Sequence, residues 1–135
     1  MSDRADAARA MIEAFNVADS DALGRSLHPE NTVRRPLPDI GIPSHPSDIG
    51  SYHGPREVIR ELNRLIQRLG GIEVEVRTLE EVGEDGVLFE FLARIGPAEE
   101  RTAQLGWSLF RFKDGLIIST ETFATESAAR RTLGG

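Results

Sequence analysis

Glu121 lies in the apolar run LIISTETF, sharing one face with Ser119 and Phe123 if that run is extended. A carboxylate projecting into an apolar cavity has its pKa raised by desolvation, which makes an acid or base effective near neutral pH. The alternative is an edge carboxylate in solvent or in a structural salt bridge. His28, just before Pro29, either ends a helix or reaches a cavity as a neutral acid–base group. Glu90 and Arg94 fall on one face of the strand-like stretch 87–95, as a solvated pair or as a paired acid and base. On the next strand Trp107 offers a flat apolar wall and an indole donor, or ordinary core, and Gln104 on its other face is a further ligand contact to test. Arg35 and its neighbour Arg34 point to opposite sides of an extended segment, and a guanidinium fork suits a carboxylate of ligand or protein. Tyr52 and His45 belong to a loop able to act as a lid, and His53 adjoins a helix start. The catalytic candidates are therefore Glu121 and His28, and the ligand-binding candidates are Arg35, Tyr52, Trp107, Gln104 and Glu90.

Other chemistries lack their residues. The chain has no cysteine, which excludes disulfides, thiolate catalysis and sulfur-ligated metal. Histidines 28, 45 and 53 form no short pair on one helix, so no metal site is expected. There is neither a dinucleotide glycine motif nor a GxxxxGK phosphate loop, and Ser47 or Ser51 near histidines does not make a triad, so no cofactor is expected. A net charge of −6, with Lys113 the sole lysine, opposes nucleic-acid binding. No segment approaches the roughly 20 apolar residues of a membrane span, and the charged start MSDRADAAR does not read as a signal. The expectation is a cytoplasmic protein without a membrane partner.

The elements that position these residues follow from periodicity. Ala8, Met11, Ile12 and Phe15 make one helical stripe within 4–18, and Asp19-Ser20 starts a short second helix that carries Leu23 and Leu27 and ends at His28-Pro29. Residues 31–36 read as a short strand before the long proline- and glycine-rich loop LPDIGIPSHPSDIGSYHGP. Pro55 suits the first position of a third helix, whose broad apolar face runs from Val58 to Leu69 and stops at Gly70-Gly71. Ile72, Val74 and Val76 alternate with polar residues, and further strands follow at 87–95, 101–113 and 116–123, the last two turning at Asp114-Gly115. Residues 128–135 read as a terminal segment that either frays or packs as a short tail. The length and the 39% apolar share suit one domain over 1–135.

In that order, AARAMIEAFNVADSDALGRSLHPENTVRRP, YHGPREVIREL and WSLFRFKDGLIISTETF resemble the SnoaL-like polyketide cyclase branch of the nuclear transport factor 2-like superfamily, from about Ala7 to Phe123. The resemblance implies an α+β fold in which three N-terminal helices pack on a strongly curved, mostly antiparallel sheet, forming a cone with a pocket, and a homodimer made through the sheet. It also implies a choice among cyclases, isomerases, epoxide hydrolases and non-enzymatic domains. Phe15 and Arg35 stand where a ketosteroid isomerase-like pattern has a tyrosine and an aspartate, which removes that proton-transfer apparatus. An epoxide hydrolase-like pattern has an arginine and an aspartate two residues apart on a strand, whereas Glu90 and Arg94 are four apart. For a SnoaL-like cyclase, Glu121 or the neighbouring polar Thr122 is the nearest match to the proton-shuttling acid of the final strand, with His28 as assistant, although Thr122 cannot serve as the same base.

Three functions remain in view: binding of a small apolar or aromatic molecule, cofactor-independent isomerisation or cyclisation of a polyketide-like or cyclic carbonyl compound, and a structural or protein-interaction role. In the second, Glu121 moves the proton while Tyr52, His28 or Arg35 stabilises oxyanion charge.

Overall fold

The computed structural model describes residues 3–34 and 51–134. Helix α1 (Asp3–Asn16) buries Ala8, Met11 and Ile12, as its stripe requires. At its end Ala18 takes a left-handed φ of 56° and the Asp19 side chain accepts from Ala22 N–H at 3.0 Å, capping α2 (Ser20–Ser26). Helix α3 (Pro55–Leu69) has Pro55 in its first turn and ends on Gly70 in the left-handed conformation, where Gly71 N–H returns to Ile66 C=O at 3.0 Å.

The strands are β1 (Leu27–Arg34), β2 (Ser51–His53), β3 (Ile72–Val82), β4 (Gly86–Ile95), β5 (Thr102–Lys113) and β6 (Leu116–Phe123). They form one sheet in the order β2-β1-β6-β5-β4-β3. β1 lies parallel to β6, with Val33 beside Thr120, and every other pairing is antiparallel. Edge strand β3 is tied to α1 by Asn16, whose side chain donates to Val74 C=O and accepts from Val74 N–H, both at 2.8 Å. One amide thus satisfies a donor and an acceptor that the edge would otherwise leave open.

Three expectations are corrected. The sheet is mixed and open, with β2 and β3 as separate edges, and it is neither closed nor curled into a cone. The helices number four among the described residues: α4 (Glu126–Gly134) stands where a frayed or short packed tail was expected. It forms because Ala129, fully buried, and Leu133 find an apolar patch of Leu88, Leu109 and Phe123 on the outer sheet face. Arg130 adds contacts to Glu126, at 2.6 Å, and to Glu80. Finally, part of the expected loop is strand β2, because Tyr52 pairs with Val33 and is buried.

Strand alternation therefore makes two apolar faces. The inner one joins Val87, Phe89, Phe91, Phe110 and Ile117 to the stripe of α1 and to Val58 of α3. The outer one is the smaller cluster beneath α4.

Candidate functional site

Between α1, α3 and the inner face lies one half-open recess with a cavity volume of about 100 Å³. Helix α1 contributes Met11, Ile12 and Phe15, and α3 contributes Leu62 and Leu65. Opposite them stand Val33 of β1, Phe110 of β5, Ile72 and Val74 of β3, and Phe89, Phe91 and Ala93 of β4. Phe89 meets Phe110 edge to face at 4.9 Å between ring centroids and Phe91 at 6.1 Å, so the aromatic wall is internally braced. Phe91 lies over Gly106, its cross-strand partner on β5. A Cβ there would sit 2.5 Å from the ring, so this glycine is needed for space rather than for its backbone angles.

The remaining lining residues are Ser108, Thr120 and Thr122. All three are buried, and Ser108 faces Thr122 across the β5–β6 ladder. Ser108 Oγ donates to Glu121 C=O at 3.4 Å. Thr120 Oγ1 is buried with no hydrogen-bond partner among the described residues. The described lining holds no titratable side chain.

None of the candidates that fall among the described residues lines this recess. Glu121 pairs with Leu109, which belongs to the outer cluster, so alternation sends it to the outer face. Glu90 lies opposite Trp107 on that same face. Its nearest cation is Arg77 at 4.0 Å, whereas Arg94 binds Glu75 at 2.9 Å and Glu73 at 3.5 Å. Those bonds from Arg94 hold the Glu75 carboxyl below its ordinary pKa of 4.5, the side-chain hydrogen bond being the largest cause. Trp107 packs against the outer cluster. Gln104 pairs with Ala93 and is half-buried outside the lining.

His28 occupies the α2–β1 junction, where Nδ1 accepts from Glu30 N–H at 3.0 Å and Nε2 lies 3.8 Å from Asp114. Tyr52 is a core residue, and His53 faces Glu30 at 3.5 Å. Arg35 and His45 lie outside the described residues. No group of three His, Asp or Glu side chains among the described residues is placed to hold a metal ion.

Sequence reasoning passed over the hydroxyl floor. Its signal was present: Ser108, Thr120 and Thr122 are polar residues that alternate onto the same face as Phe110 and Ile117.

A helical layer over one face of an open six-stranded sheet, enclosing an apolar recess, defines a ligand-binding α+β fold. The chain belongs to the SnoaL-like domain family, whose model matches residues 8–120. Among solved structures it is similar to TerC co-crystallised with polyporic acid, with 18% identity over 98% of each chain and a TM-score of 0.74. It is also similar to an M. tuberculosis LEH-like epoxide hydrolase, with 19% identity over 97% of this chain and 89% of that one and a TM-score of 0.69. A third likeness is to a computationally designed 17-OHP binder, with 12% identity over 94% of each chain and a TM-score of 0.72. Such identities show the shared fold alone. Comparison with curated proteins finds no sequence match. Among the described residues no helix is long and apolar enough to cross a membrane.

Proposed function

We propose that this protein binds a small, neutral, largely apolar molecule in the recess and performs no acid–base chemistry on it. One observation carries the reading: the described lining is apolar apart from three hydroxyls and offers no group to move a proton or balance a charge. A buried ligand charge without a partner is strongly disfavoured. The cyclase or isomerase reading needs a base at the substrate, and its best candidate, Glu121, is separated from the recess by the sheet. Two of the similar structures, one with polyporic acid and one a designed 17-OHP binder, support binding as a use of this fold.

The test is an NMR titration of the folded protein with toluene. Saturable shifts of the β4, β5 and β6 amides flanking Phe91, Ser108 and Thr120 are expected. A spectrum that stays unchanged up to the solubility limit of toluene would overturn the reading.

A homodimer is proposed on a separate observation. Leu105 is 46% exposed and lies opposite Leu92 on the outer face, two residues from Trp107. Sedimentation should find a dimer that Leu105→Glu converts to monomer with toluene binding intact. A wild-type monomer at high micromolar concentration removes the proposal.

A further inference from the structure

Thr120 sits on β6 between Val33 of β1 and Phe110 of β5, so both cross-strand neighbours are apolar. That setting explains why its hydroxyl has no partner although only 9% of the residue is exposed. A buried orphan hydroxyl destabilises the fold unless something completes it. Ser108, by contrast, already spends its proton on Glu121 C=O. A threonine hydroxyl can donate or accept by rotating its proton, so it suits either a carbonyl or a hydroxyl.

Size and wall chemistry narrow the ligand further. A cavity of about 150 Å³ lined by leucine, isoleucine and phenylalanine admits benzene, and the half-open recess here has a cavity volume of about 100 Å³. One ring therefore fills it with slight adjustment, and a fused system protrudes through its open side toward solvent. The faces and edges of Phe15, Phe89, Phe91 and Phe110 favour a flat ring. The absence of a cation in the described lining requires a neutral oxygen function rather than a carboxylate.

We infer that the recess is a site for a single-ring, uncharged aromatic molecule bearing a hydroxyl or carbonyl oxygen, and that the Thr120 hydroxyl is the hydrogen-bond partner of that oxygen. This assignment rests on the binding function proposed above and adds the ligand class and its anchor. Phenol, which is neutral at pH 7, is the probe that carries the oxygen, and toluene is its counterpart without one.

The experiment measures the affinities of phenol and toluene for the wild type, Thr120→Val, Thr120→Ala and Thr120→Ser by NMR titration, with a thermal melt of each unliganded protein. Valine and alanine should each lower phenol affinity relative to toluene about five- to tenfold, the value of one neutral hydrogen bond. Serine should keep the wild-type ratio. Unliganded Thr120→Val should melt no lower than the wild type, because it removes an unsatisfied hydroxyl, whereas a structural hydrogen bond would make it melt lower. An unchanged phenol-to-toluene ratio in both hydroxyl-free variants overturns the role of Thr120 while toluene binding leaves the apolar-binding function standing. Failure of both probes to bind the wild type overturns the two together.

Discussion

Gly106→Ala is the substitution that most directly connects packing to binding. The added methyl carbon would lie 2.5 Å from Phe91 Cζ and 3.0 and 3.1 Å from the two Cε atoms. Carbon atoms rest at about 3.5–4.0 Å, so the ring must retreat by about 1 Å. The sheet lies beneath it and Phe89 beside it, which leaves the recess as the free direction. Displacing an aromatic face by that amount takes space directly from a recess whose cavity volume is only about 100 Å³. Forcing one methyl into packed space costs about 1–3 kcal/mol, a fall in Tm of roughly 4–12 °C for a chain of this size. Toluene affinity should drop at least about tenfold, since the remaining space no longer takes a ring. Calorimetry and the NMR titration read the two effects on the same sample. A variant that melts within about 1 °C of the wild type and binds toluene equally well would refute the geometry, because Phe91 would then not lie over Gly106.

Leu65→Ala acts in the opposite sense: Leu65 is 1% exposed and on the recess wall, so stability should fall by about 2–5 kcal/mol while naphthalene gains affinity relative to toluene. Chemical denaturation and competition titration check the two halves. Glu121→Gln should leave toluene affinity within about twofold of the wild type, because its carboxylate is on the outer face; a larger loss would return the acid to the site. Glu75 has a folded pKa below 4.5, owing first to its hydrogen bond with Arg94. Its contribution to stability is therefore complete above pH 4.5 and disappears as pH falls through the lower folded value. Glu75→Gln should flatten the decline of Tm in that acid window, and parallel Tm curves for the two proteins below pH 4.5 would contradict it.

Most elements were legible because local rules and tertiary burial agree in them. The α1 and α3 stripes, the glycine stop at Gly70 and the turn at Asp114-Gly115 announce themselves within a few residues. What was not legible depends on pairings between distant segments. Alternation separates Glu121 from Thr120 and Thr122 but does not say which set faces the helices. The answer comes from Leu109, which a C-terminal helix covers, and from Thr120, which Val33 flanks. The same blindness applied to α4: its helical run is short and becomes meaningful only beside Leu88 and Phe123. Tyr52 looked like a lid residue because its strand is three residues long and borrows its register from β1.

The parallel β1–β6 ladder also bears on how the molecule comes into being. Asn31 donates to Ile117 C=O at 2.7 Å across 86 residues of sequence, whereas β3 to β6 are joined by successive turns. Local pairings have little loop-closure entropy to overcome, so the β3–β6 meander can assemble early and β1 must join it by a long-range search. Thr120 acquires its neighbour Val33 only at that step. The aromatic side of the meander is covered by α1 and α3, so what the β1 step adds is Val33 at the end of the wall that carries Phe110. The Val33–Thr120 part of the recess wall is therefore completed in the same event that joins β1 to the sheet.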